Sequence, residues 1–303
     1  MTEIGTTTDA TMIGLGPMGL ALAELLLTAG KSLAIWNRTP SKAAALKKQG
    51  ATWAETPADA IKASPVIFIC VYDYAAADAI LATQGVAEAV KGRLVINLGT
   101  GSPDDAKRIE AFVTRRGGSY LDAAIQAAPS QMGQEDTPIL ISGPKPAFAE
   151  AEPVLKILAG KLVYLGEDIS AAASMDLSTL SYVYGAFAGF LHGARIAEAS
   201  GVDVAAYGEL VNTISPSFGA FFGHEGRVIA SEDYRVTESP LRISVPAIRR
   251  ILTTSQELGL NTEVPALMDG WLQKAREDGL EDQEVAALIK VLRRSTPEAR
   301  KSA

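Results

Sequence analysis

Reactive side chains are scarce in this sequence: it holds one cysteine, Cys70, and two histidines, His192 and His224, in 303 residues. A single thiol excludes an intrachain disulfide and a thiolate metal cluster, and the two imidazoles lie too far apart to form a local metal motif, so no metal is expected. Neither histidine has an acid or a cysteine at the spacing of a nucleophile triad, which leaves Ser-His-Asp and Cys-His chemistry without support. Long apolar runs are missing too. The longest stretch free of polar residues and glycine, Pro65 to Tyr72, has the length of a strand and falls far short of the ~20 residues a membrane helix needs. Leu177 to Ala194 is uncharged for longer, but Ser178, Thr179, Ser181 and His192 make it too polar for a span. No block of Lys and Arg stands in the body of the chain and the net charge is −7, so the electrostatic footprint of a nucleic-acid binder is absent. Met1 to Ala10 has neither the basic start nor the apolar core of a secretory signal, and the expectation is a cytoplasmic protein that acts on a small molecule. The basic tail from Arg293 to Ala303 reads as a solvated terminus.

What is present is the composition of a folded globular protein, 48% apolar and 21% charged, long enough for two domains. Short apolar runs alternate with helical patterns. Strands are expected at Thr11–Ile13, Ser32–Trp36, Val66–Val71, Leu94–Leu98, Tyr120–Ile125, Pro138–Ser142 and Leu162–Leu165. Between them Leu22, Leu25, Leu26 and Ala29 mark one helix face, and further helices are expected over Ser41–Gln49, Ala75–Ala82, Pro103–Arg115 and Pro146–Leu158. Strands this short, apolar on both faces and separated by helices describe a parallel sheet covered on two sides. From Ile169 onward strand patterns stop. The expected architecture is therefore α/β: a Rossmann-type, doubly wound parallel sheet over residues 1–167, then a long interdomain helix and an all-α domain over residues 168–303. The stretch Ser170 to Ser200 carries only Asp176, Arg195 and Glu198 as charges, too few for a surface helix, and should be buried between domains or subunits.

Gly14-Leu15-Gly16-Pro17-Met18-Gly19 is G-x-G-x-x-G, placed after a strand and at the start of a helix. Its glycines serve a tight turn, close approach of backbone to a pyrophosphate, and packing of helix on strand, while the helix N-terminus offers amides to the phosphate. After the second strand, where a carboxylate would bind an adenosine ribose diol, the chain has Asn37-Arg38-Thr39 with Lys42 close behind. Arg38 can stack on adenine and pair with a 2′-phosphate, Thr39 can donate to it and Lys42 adds a charge, so NADPH is expected over NADH. The nicotinamide should lie near Val71, Thr100 and Ala123, at the C-terminal edge of the sheet.

The run Gly14 to Lys42, with Trp36-Asn37-Arg38-Thr39 at its end, resembles the cofactor motif shared by β-hydroxyacid dehydrogenases and, in this form, especially by NADPH-dependent imine reductases; the similarity extends over nearly the whole chain. The dehydrogenases carry a lysine in a Gly-x-x-x-Lys-x-x-Asn-Asn pattern early in the interdomain helix. Here Asp176 stands in the lysine's place and Thr179-Leu180 replaces the asparagine pair. Leu121-Asp122-Ala123-Ala124 keeps a dehydrogenase feature, but its continuation Ile125-Gln126-Ala127-Ala128-Pro129 lacks the Ser-Gly-Gly that binds a carboxylate. The resemblance implies reduction of cyclic imines or iminium ions in a homodimer whose chains share active sites. It also implies a substrate-side tyrosine at Tyr184 and a pocket containing Gln126, Leu180, Thr213, Ile214, Leu241 and Ile243. Alternatives are a hydroxyacid dehydrogenase with an unusual acid and a non-catalytic NADPH-binding regulator.

Read physically, Asp176 lies in the second turn of the interdomain helix, where a first-turn cap is not needed. At about 100° per residue it shares a face with Thr179, Leu180, Val183, Phe187, Phe190 and Leu191, with Tyr184 on the flank. A lone carboxylate in such a stripe is costly unless something pairs with it: a basic residue in a structural ion pair, or a substrate nitrogen to which it gives a proton or lends its charge.

Overall fold

The structure is a computed structural model and describes residues 7–294. The start of the Met1–Ala10 segment and the end of the basic tail, residues 1–6 and 295–303, lie outside the described residues. The chain forms two compact units that divide between Ser181 and Tyr182.

The first unit is built on eight strands. They are β1 (Ala10–Ile13), β2 (Leu33–Trp36), β3 (Thr52–Trp53), β4 (Val66–Ile69), β5 (Leu94–Asn97), β6 (Ser119–Ile125), β7 (Pro138–Ser142) and β8 (Lys161–Tyr164), and they lie in the order β3-β2-β1-β4-β5-β6-β7-β8. Between them run α1 (Pro17–Thr28), α2 (Ala44–Lys48), α3 (Pro57–Ala63), α4 (Tyr74–Leu81), α5 (Val86–Ala89), α6 (Pro103–Thr114) and α7 (Lys145–Leu158). Alternate strand residues feed opposite core layers, as the pleat requires. Met12, Phe68 and Ile96 join α1 and α7 in one layer, while Ile13, Ile67, Ile69 and Val95 join α3, α4, α5 and α6 in the other. In α1 the buried residues Gly19, Leu22, Ala23 and Leu26 recur at helical spacing. Ser102 caps α6 through a reciprocal bond with Asp105, and Pro103 occupies the position where a missing N–H costs nothing.

One expectation about the sheet is corrected. β7 runs antiparallel to β6, with Ala123 opposite Ile141, so the sheet is parallel with a single reversal. The segment that joins these strands holds only a short 3-10 turn at Pro129–Gln131 and no crossover helix, and without a crossover the next strand returns in the opposite direction.

The long helix α8 (Ala171–Ala199) begins in the first unit and ends in the second. Its first turn is tied to the end of β7 by Ser142, whose hydroxyl donates to the Ile169 carbonyl and accepts from the Ala172 amide. The expected domain boundary at 167/168 thus falls before the helix, whereas its first turns, with Ala172, Ala173 and Asp176 buried, pack with the sheet. The second unit adds α9 (Val204–Ser231), whose Val228 packs with Tyr234, Ala286 and Ala287, and α10 (Leu241–Glu257), α11 (Glu263–Glu277) and α12 (Ile289–Arg293) around a core of Leu241, Leu272, Ala275, Leu280 and Val291. Leu241 is fully buried there, which corrects its expected place in a substrate pocket. No helix among the described residues is long and apolar enough to cross a membrane.

Candidate active site

The three glycines of the G-x-G-x-x-G loop are glycine for different reasons. Gly14 has φ +98°, and a Cβ there would run into the Cys70 carbonyl; a Cβ on Gly19 would run into the carbonyl of Gly14. A Cβ on Gly16 would meet nothing within 4 Å, so its missing side chain keeps space open rather than relieving a clash. The same residue precedes α1 with no side-chain cap, and Pro17 follows at the first helical position, which leaves the helix amides unclaimed. An open floor beside free amides fits a pyrophosphate.

Gly14, Leu15, Gly16, Pro17, Met18 and Gly19 line one cavity of about 540 Å³ together with Asn37, Arg38, Thr39, Lys42 and Val71. Asn37 does more than line it. Its Oδ1 accepts from the Leu15 amide at 2.9 Å and its Nδ2 donates to the Thr39 carbonyl at 3.0 Å, fixing the glycine loop to the basic turn. Arg38 and Lys42 are exposed at the cavity, and among the described residues neither side chain has an ion-pair partner, so both charges are available to a phosphate. Residues singled out less readily from sequence complete the lining: Trp36, Cys70, Tyr72, Ala76, Ala79, Ile80 and Thr83. Burial pushes the Cys70 thiol up to about 12, so it is packing and not a nucleophile. Of the expected nicotinamide neighbours, Val71 lines the cavity, and Thr100 bridges to Asp73 at the start of α4. Ala123 is 1% exposed inside the core, which corrects its expected place beside the nicotinamide.

Asp176 is 3% exposed, and its partner is an uncharged amide rather than a basic residue. Gln126 Nε2 donates to Asp176 Oδ1 at 2.6 Å, while Asp176 Oδ2 is buried with no hydrogen-bond partner among the described residues. The topology places this carboxyl. Strands β1, β2, β4, β5 and β6 are mutually parallel, so the glycine loop after β1, Val71 after β4, Thr100 after β5 and Gln126 after β6 all lie at one edge of the sheet. Gln126 therefore brings Asp176 to the edge at which the cavity opens.

A second buried carboxyl on β6, Asp122, serves the core. It accepts from the hydroxyls of Tyr74 and Tyr120, binding α4 to the sheet. Burial pushes it up to about 6 against the pull of the two phenol donors. His192 shares a hydrogen bond with Ser255 and His224 one with Thr237, so both histidines pair with hydroxyls. Within the second unit Tyr184 is 68% exposed, and Thr213, Ile214 and Ile243 are exposed, while Leu180 in the first unit is half-buried. Val183, Phe187 and Leu191, expected to be covered, are each about half exposed on the single chain.

A doubly wound sheet with a phosphate-receiving glycine loop, a basic turn in place of a ribose-binding acid and a buried carboxyl at the same edge defines an NADPH-dependent oxidoreductase. Residues 9–166 match the family described as the NAD binding domain of 6-phosphogluconate dehydrogenase, and residues 168–294 match the NADPH-dependent reductive aminase-like C-terminal domain. The NADPH-dependent reductive aminase of Aspergillus oryzae is 30% identical over 283 residues, 92% of this chain and 95% of that protein. The structure of the reductive aminase from Aspergillus terreus in complex with NADPH4, cyclohexanone and allyl amine has a TM-score of 0.87 at 33% identity, covering 95% of this chain and 100% of that one. An imine reductase from Myxococcus stipitatus in complex with NADP+ has a TM-score of 0.88 at 29% identity, covering 94% and 99%. The chain belongs to this family of reductive aminases and imine reductases.

Proposed function

We propose that the protein reduces cyclic imines or iminium ions to amines, with Asp176 on the proton or charge side of the reaction. The observation that carries this reading is the buried Asp176 with its unpartnered Oδ2 at the cofactor edge of the sheet. A buried carboxyl oxygen without a donor calls for a cationic or proton-accepting partner, and the nitrogen of a C=N bond is one. When bound, NADPH supplies the hydride. The α1 amides beside Gly16 receive its pyrophosphate, and Arg38, Thr39 and Lys42 hold its 2′-phosphate. For a neutral imine, Asp176 Oδ2 carries the proton to nitrogen; for a preformed iminium it offsets the positive charge. Tyr184 stands on the substrate side.

The active form is a homodimer. Tyr184, Phe187 and Leu191 on α8 and Leu210, Ile214, Phe218 and Phe222 on α9 are large apolar side chains at helical spacing, each at least 40% exposed. Faces of this extent ask for a second copy, to whose substrate Thr213, Ile214 and Ile243 would then turn. Parallel assays of NADPH consumption with 2-methylpyrroline and with a 3-oxo acid test the chemistry. Turnover of the imine alone is expected; consumption with the oxo acid alone points to hydroxyacid chemistry, and consumption with neither contradicts catalysis.

A further inference from the structure

Gln126 follows β6 directly, and its backbone is anchored where its amide donates to the Pro138 carbonyl at 3.1 Å. Its side chain is held at both ends. Nε2 donates to Asp176 Oδ1 at 2.6 Å, and Oε1 accepts from the Thr179 hydroxyl at 2.6 Å. Thr179 lies one turn after Asp176 on α8, and its hydroxyl, whose single proton goes to Gln126 in the shorter bond, also lies 2.9 Å from the Asp176 main-chain carbonyl. The three residues thus close a ring that leaves α8 at Asp176 and returns to it at Thr179.

We propose that Gln126 and Thr179 form a positioning relay that commits Oδ2 of Asp176, and not Oδ1, to the nitrogen of the substrate. The inference rests on the reading of Asp176 given above. A free glutamine amide can present either its oxygen or its nitrogen to a neighbour. Here the Thr179 hydroxyl occupies Oε1, so the N–H side faces the carboxyl. With Oδ1 accepting from that N–H, a proton on the carboxyl sits on Oδ2, and the lone pairs open to a cation are those of Oδ2 as well. The bond to Oδ1 also fixes the plane of the carboxyl, since a turn about its terminal torsion breaks it. Oδ2 is the oxygen left buried and unpartnered. Gln126 acts through Asp176, and Thr179 acts through Gln126. Both are positioning residues.

The test measures kcat and KM for 2-methylpyrroline, NADPH affinity and melting temperature in Gln126→Met, Thr179→Val, Thr179→Ser, the Gln126→Met/Thr179→Val pair and Asp176→Asn. Gln126→Met should lower kcat roughly tenfold to a hundredfold, the span expected when a catalytic group is held loosely, with NADPH affinity unchanged. Thr179→Val should lower kcat less, and Thr179→Ser should restore it. The double variant should match Gln126→Met alone, because two links of one chain are not additive. A rise in KM with kcat intact in Gln126→Met assigns Gln126 to the pocket wall and overturns the relay. Additive losses in the double variant, or equal kcat in Thr179→Val and Thr179→Ser, overturn the part of Thr179. If Gln126→Met fails to fold, the Val and Ser pair at Thr179 still decides. Loss of turnover in Asp176→Asn with Gln126→Met unaffected rejects the relay alone, whereas full activity in Asp176→Asn removes Asp176 itself and the relay with it.

Discussion

At the level of single residues, the cofactor end of the site was legible because its chemistry is local. The glycine spacing, the missing acid after β2 and Arg38-Thr39 are a few neighbouring positions, and all line one cavity. Arg38 is exposed with no ion-pair partner among the described residues, so its charge is available to a 2′-phosphate. NADPH should bind at least roughly tenfold tighter than NADH, or about 1.4 kcal/mol, in a titration of both. Arg38→Ala should erase most of that preference by removing a charge-assisted bond worth roughly 1.5 to 3 kcal/mol; equal dissociation constants in the unaltered protein contradict the assignment. The surroundings of Asp176 were less legible. Sequence marks it as a carboxyl among apolar neighbours, but its partner Gln126 is distant along the chain, and only the fold of β6 against α8 joins them. Asn37 was expected at the cofactor; that it also fastens two loops depends on a bond to the Leu15 amide that no local pattern reveals.

Among the elements, strands and helices with a clear period were read correctly, and the misses have physical reasons. β3 has only two residues, too short to show alternation. The helix α3 went unread although Thr56 and Asp59 form a capping pair at its start, a signal present in the sequence. The reversal of β7 was hidden because an apolar strand looks the same in either direction. The lining from α4 was accessible in principle, since Ala76, Ala79 and Ile80 recur at helical spacing just after a strand end. For α8 the low charge was read as burial, and on the single chain its apolar side chains, like those of α9, remain open, with Phe187 at 55% and Phe218 at 49% exposure. Sedimentation at micromolar concentration should therefore give a dimer, and Phe187→Asp with Phe218→Asp should give a folded monomer by placing charge on both faces. A stable monomer of the unaltered protein contradicts the assembly.

For the whole molecule, one carboxyl links the fold to the proposed reaction. The Rossmann unit gathers a phosphate cradle and a basic turn at one edge of its sheet, and the first turns of α8 bring Asp176 to that edge with one oxygen hydrogen-bonded and the other buried without a partner among the described residues. The most direct measurement is turnover of a cyclic imine by Asp176→Asn, with melting temperature and NADPH affinity taken on the same preparation. A fall of about 10² to 10⁴ in turnover, with folding and NADPH binding preserved, is the predicted result. Full turnover, or a loss of folding stability with normal turnover in the protein that remains folded, would contradict it.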